Sequence, residues 1–105
     1  MEKSLKKNIE NAIENQDLND ALEYIIEYKK KQPADRDLWF YECIMNLLLG
    51  HIEAARNIAE TCVQKFPTSY ESYYYQASVY QAASMSLEAL KSYKISRFLY
   101  MYYYK

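Results

Sequence analysis

Apolar side chains recur along this chain at the spacing of one face of an α-helix. Leu5, Ile9, Ala12 and Ile13 stand at i, i+4, i+7 and i+8, and Leu18, Ala21, Leu22, Ile25 and Ile26 repeat the stripe after a short polar break. A helix with one greasy stripe cannot stand alone in water, so each of these must pack against a neighbour. Asp17 and Asp35 are placed to cap the helices that follow them, and Thr68-Ser69-Tyr70-Glu71 reads as a capping box. Six helices are predicted, over about 3–14, 18–31, 36–49, 52–65, 70–83 and 86–104. With one Gly and two Pro in 105 residues, the chain has almost no punctuation for hairpins, and Gly50 alone offers an easy left-handed residue. The expected fold class is all-α.

The pattern is also periodic at longer range. Pro33 and Pro67 are 34 residues apart, and the same interval separates Ala21, Ala55 and Ala89, and again Leu5, Trp39 and Tyr73. Three registers that agree mark three copies of one unit, about 2–35, 36–69 and 70–105, in a single domain. Small side chains at Ala21, Cys43, Ala55, Cys62, Ala77 and Ala89 suit places where helix backbones come close, and enlarging one would cost roughly 1–3 kcal/mol of overpacking. Trp39 fills the opposite need, and its removal from a buried site would cost roughly 3–5 kcal/mol.

A 34-residue period with a large residue early, a small one midway and a closing proline resembles the tetratricopeptide repeat. The middle copy, Trp39 to Pro67, carries the likeness best: Trp39 at the first large position, Cys43 at the small position of the first helix, Gly50 in the turn, Ala55 and Cys62 at the small positions of the second helix, and Pro67 at the close. Glu42 and Asn46 stand where that family prefers Leu and Tyr. The resemblance implies an α-solenoid of three antiparallel helix pairs wound as a right-handed superhelix. It also implies a concave face lined by the first helix of each pair, where family members hold extended or helical peptides.

Carried over position by position, the lining of that face is Lys6, Ile13, Phe40, Ile44, Leu47, Tyr74, Ser78 and Gln81. Phe40, Ile44 and Leu47, at i, i+4 and i+7 with Tyr74 alongside, form a row that suits the apolar stripe of a partner helix. The alternative is that these residues are covered from within the same chain. Some family members grip a terminal carboxylate with Lys, Asn and Arg at these positions. Here Lys6 alone fits that clamp, because Glu10, Ile44, Tyr74 and Ser78 occupy its other places.

The chain closes on seven consecutive large apolar or aromatic residues, Phe98 to Tyr104, and Met101 stands where the earlier copies have Pro33 and Pro67. A helix that is apolar all round is expected to be buried all round. Phe98, Tyr100, Met101, Tyr103 and Tyr104 are therefore predicted to form an interface, covered by a second copy, by another protein or by the continuation of a longer chain.

Half the residues are hydrophobic, a quarter are charged, and the formal net charge is −1, which gives no broad positive field for nucleic acid or anionic lipid. Lys29-Lys30-Lys31 and the row Lys91, Lys94, Arg97 sit toward helix C-termini, where positive charge complements the helix dipole. The apolar runs are far shorter than the roughly 20 residues that span a bilayer, and the first residues lack the apolar stretch of a secretory signal. Cys43 and Cys62 read as reduced thiols in the core. His51, the single histidine, falls in a turn; Asp35 and Asp37 stand at a helix start; and no glycine-rich phosphate loop, metal-ligand spacing or nucleophile motif is present.

The sequence thus predicts a cytoplasmic, non-enzymatic adaptor or chaperone-like module that needs no cofactor and binds a protein or peptide partner, with neither nucleic acid nor membrane as its target. The alternative is a non-catalytic N-terminal tetratricopeptide module of a larger bacterial enzyme, such as a glycosyltransferase, that dimerises or positions the catalytic part. Richness in Lys, Asn, Ile and Tyr points to a bacterial genome of low GC content.

Overall fold

The computed structural model describes residues 2–104. Six helices and no strand are found among them: α1 (Glu2–Glu14), α2 (Leu18–Lys31), α3 (Arg36–Leu48), α4 (Ile52–Lys65), α5 (Tyr70–Ala82) and α6 (Ser86–Tyr103). Each boundary lies within a residue of its sequence expectation, because the polar breaks between stripes are short and steep. The chain divides into two compact units, one ending at Tyr41 and the other beginning at Glu42. The division falls inside α3.

The repeat is written in the backbone hydrogen bonds. After α1, α3 and α5 the amide of Asp17 donates to Ala12 O, that of His51 to Asn46 O and that of Met85 to Tyr80 O, all at 2.8 Å. One residue earlier, Gln16, Gly50 and Ser84 donate to Ile13, Leu47 and Gln81, at 3.0, 3.1 and 3.0 Å. This pair of bonds closes a helix through a left-handed residue, and Gln16, Gly50 and Ser84 have φ of 60°, 81° and 63°. The turns after α2 and α4 match as well: Gln32 and Phe66 donate to Tyr28 and Cys62 at 2.8 and 2.7 Å, and Asp35 and Ser69 donate to Gln32 and Phe66, both at 3.2 Å. α6 runs on past the place equivalent to Phe66 as far as Tyr103, and the Tyr104 amide donates to Tyr100 O at 2.9 Å.

The capping expectations hold at one place. Asp35 Oδ1 accepts the amide of Asp37 at 2.8 Å, as a cap of α3 should. Asp17 and Ser69 occupy the N-cap positions of α2 and α5 but make no side-chain cap bond.

In the first unit, α1 packs on α2. Leu5, Ile9, Ala12, Ala21, Ile25 and Tyr28 are buried there, with Leu38, Phe40 and Tyr41 from the start of α3. In the second unit, α4 packs on α5 and α5 on α6. Cys43, Ala55, Ala59 and Val79 form the centre, with Leu47, Ile58 and Tyr75 against them. All six predicted small positions are buried. Ser72 Oγ, fully buried, donates to Cys62 O at 3.2 Å and Phe66 O at 2.9 Å, so it supplies the α4 C-terminus with a donor. α6 meets α5 through Ala89, Ser92 and Ser96: Ser96 Oγ donates to Tyr70 O at 2.9 Å and Ser92 Oγ to Gln76 Oε1 at 3.1 Å. Trp39 is only partly buried, contrary to its expected role as a core plug.

Candidate functional site

The residues proposed to line an open face do not share one environment. Lys6, on α1, is held by two carboxylates, with Nζ 2.8 Å from Asp37 Oδ2 and 3.3 Å from Asp35 Oδ2, and lies 5.6 Å from the centre of the Tyr28 ring. The Tyr28 hydroxyl, buried beneath it, donates to Asp35. Burial alone would lower the Lys6 pKa, but the hydrogen bonds and charges of Asp37 and Asp35 reverse this and hold it well above its ordinary value. Burial likewise opposes the charge on Asp35, yet the Tyr28 hydroxyl, the Asp37 amide and Lys6 bring its carboxyl below the usual range. Burial first, then Asp35, pushes the Tyr28 hydroxyl up. Lys6 is an internal clasp between α1 and the start of α3.

Ile13 is half-buried. Phe40 is 3% exposed, with the Arg36 guanidinium carbon 5.6 Å from its ring centre. The expectation that Phe40 lines an open face therefore fails. Period alone cannot tell a core row from a binding row, and at this position intramolecular cover is the outcome. Tyr41 is buried beside it and donates to Glu10 Oε2 at 3.2 Å. Burial, then Glu10 and Asp37, drives its hydroxyl far above its ordinary pKa.

In the second unit, Leu47 packs against the Cys43 centre and Ile44 is half-buried. Tyr74 is 49% exposed, and its ring meets Tyr75 and Tyr93 edge-on at 5.6 and 5.8 Å. Ser78 Oγ donates back to Tyr74 O at 3.1 Å, and the exposed Gln81 accepts from the Tyr93 hydroxyl at 2.9 Å. Tyr74, Tyr93 and Gln81 thus form a polar-aromatic ridge along α5 and α6.

The terminal residues are where solvent meets the most apolar surface. Phe98, Tyr100, Met101, Tyr102, Tyr103 and Tyr104 are all exposed. Tyr100 and Tyr104 stack on each other at 5.5 Å and both abut Tyr70 edge-on, at 5.0 and 5.4 Å, so their inner faces are covered by α5. Phe98 and Tyr102 stack at 5.9 Å, and Tyr102 meets Tyr103 at 4.9 Å. Sequence reasoning missed that this surface extends along α6 through the exposed Leu87, Leu90 and Ile95. The signal was available: 34 residues earlier, the same places in α4 hold Glu53, Arg56 and Thr61.

His51 is exposed at the N-cap position of α4, with no side-chain cap bond. Among the described residues no cluster of three His, Cys, Asp or Glu side chains could hold a metal ion, and no helix is long and apolar enough to cross a membrane.

No family model matches the chain, and no curated protein matches it in sequence. Among solved structures, one titled MamA MSR-1 C2 is similar, with a TM-score of 0.66, 16% sequence identity, and alignment over 94% of this chain and 57% of that one. MamA is a tetratricopeptide-repeat protein, and the likeness gives this chain a helical-repeat fold of the same kind. The chain spans little more than half the length of that structure.

Proposed function

We propose that this chain is a protein-interaction module, an adaptor or chaperone-like unit that holds a helical or extended segment of another protein. The observation that carries this reading is the exposed aromatic surface of α6 and the Tyr74 ridge, an apolar exposure of the kind that marks an interaction surface. A helical-repeat fold supports it, since such folds present long faces built from successive helices. Lys6, held by Asp35 and Asp37, and Phe40, 3% exposed, fall out of the binding surface, as does Leu47, which packs on the Cys43 centre; within the second unit Tyr74, Ser78 and Gln81, with the half-buried Ile44, are retained for it.

The test is capture of partner proteins by the intact chain with chemical cross-linking, compared with Tyr74→Ala. The variant should keep its helical circular-dichroism signal and lose cross-linked partner at α5. A chain that captures nothing, or captures equally well without Tyr74, would count against the reading. The exposed Phe98 and Met101 also suit a module whose continuation covers them, as in a larger bacterial enzyme that uses the repeats to dimerise or to position its catalytic part. A reading frame that continues beyond Lys105 into such a domain would favour that version.

A further inference from the structure

α6 is anchored by small side chains, Ala89, Ser92 and Ser96. On its opposite side, Leu87, Leu90, Ile95, Phe98, Met101 and Tyr102 are between 44% and 65% exposed. Positions 87, 90, 94, 98 and 101 follow one another at three- and four-residue steps, so most of these side chains share one stripe. Phe98 and Tyr102, 65% and 64% exposed, would bury about 150–250 Å² each if fully covered, and so present about 200–300 Å² between them. With the four aliphatic side chains added, the face reaches the upper end of the roughly 300–600 Å² that is the largest patch on a typical monomer. It could supply the apolar centre of an interface burying about 800 Å² on each partner.

The face is specific to this helix. At the places equivalent to Leu87, Leu90, Ile95 and Phe98, α4 carries Glu53, Arg56, Thr61 and Gln64, and α2 carries Asn19, Leu22, Glu27 and Lys30. Apolar residues thus replace polar ones at three of the four positions relative to both earlier helices. The change is not a requirement of the repeat.

The occupant is indicated by charge. Lys91, Lys94 and Arg97 are exposed on the same side of α6, and none forms an ion pair among the described residues. Lys94 sits in the middle of the stripe, one helical turn from both Leu90 and Phe98. A helix that lies in a bilayer surface keeps its cations on the polar side, away from the inserted face, so the position of Lys94 disfavours lipid. A second copy is disfavoured too, because antiparallel pairing of two α6 helices brings three cations from each side together with only Glu88 to offset them.

We propose that the outward face of α6, with Leu87, Leu90, Phe98 and Met101 as its apolar stripe and Lys91, Lys94 and Arg97 set among them, docks an acidic amphipathic helix of a partner protein. Leucine-type side chains of that helix cover the stripe while its Glu or Asp side chains meet the three cations. This deepens the interaction-module reading and rests on it.

The probe is a helical peptide of 18 residues, the length of α6, with leucines at i, i+3, i+4 and i+7 and glutamates beside them. The control replaces each glutamate by lysine. By fluorescence anisotropy the acidic peptide should bind the intact chain and the basic one should not, with affinity falling as salt rises. Lys91→Glu with Lys94→Glu should weaken the acidic peptide by roughly tenfold or more and confer binding of the basic peptide, a gain that an unfolded variant could not give. Phe98→Ser should abolish binding of the acidic peptide to the otherwise unchanged chain, and of the basic peptide to the charge-reversed variant, while keeping the helical signal. The proposal is overturned if neither peptide binds, if both bind alike, or if charge reversal changes nothing. It is equally overturned if phosphatidylcholine–phosphatidylserine vesicles bind in preference to the peptide, or if the chain self-associates and Phe98→Ser makes it monomeric. In each of these cases the Tyr74 experiment still decides the module reading independently.

Discussion

Tyr28→Phe removes a single oxygen from the first unit and isolates what the Lys6–Asp35–Asp37 cluster contributes. The ring stays, so no cavity opens, and the lost group is the donor to Asp35. A hydrogen bond to a charged group contributes about 1.5–3 kcal/mol. At about 4 °C per kcal/mol for a domain near this size, the melting temperature should fall by about 6–12 °C. The sign of the pH dependence follows from Asp35, whose carboxyl is held below its ordinary 3.8. A lowered acid contributes stability above its unfolded value and loses it as pH drops through the folded one. The gap between wild type and Tyr28→Phe should therefore be widest at neutral pH and close in acid, once Asp35 is protonated in both. A double-mutant cycle with Lys6→Met, followed by thermal circular dichroism, should give a coupling of about 0.5–3 kcal/mol. A melting temperature unchanged by the substitution, or a penalty of the same size in acid as at neutral pH, would refute the claim that this hydroxyl stabilises an ionised carboxylate.

The three left-handed turn residues make a second test. Gln16 and Ser84 adopt φ near that of Gly50 at a steric cost of roughly 1 kcal/mol or more for an L side chain. Gln16→Gly and Ser84→Gly should each raise the melting temperature by a few degrees, and Gly50→Ala should lower it although no atom lies within 4 Å of the added carbon; calorimetry checks all three. Burial, with a small contribution from Cys62, pushes the Cys43 thiol up to about 12, and burial with Glu42 pushes Cys62 up to about 11, from an ordinary 9.0. Their stabilising effect is complete below the unfolded value and is lost as pH rises through the folded ones, so stability should decline above pH 9.0, and an aromatic disulfide reagent should label the native thiols far more slowly than urea-unfolded ones. Trp39→Ala should cost on the order of 2 kcal/mol by denaturant titration, less than the roughly 3–5 kcal/mol of a fully buried indole.

The helices and their boundaries were legible because stripe and break alternate in a chain with one glycine, and the period was legible because Ala21, Ala55 and Ala89 sit where backbones approach. Two features were not. Gln16 and Ser84 take the left-handed turn that only Gly50 advertises, since the hydrogen bonds that close α1 and α5 outweigh a cost that no residue type announces. Phe40 and Phe98 show the second gap. Both are phenylalanines on helical stripes, yet one is 3% exposed and the other 65%: the start of α3 is tied to α1 through Lys6–Asp37 and Tyr41–Glu10, while among the described residues the outward side of α6 is left to solvent. A residue's own stripe records that it is apolar. Whether it is covered is recorded elsewhere, in the elements packed against it, and at α6 the contrast with Glu53, Arg56, Thr61 and Gln64 at the same positions of α4 is what separates an exposed apolar face from an ordinary position of the repeat.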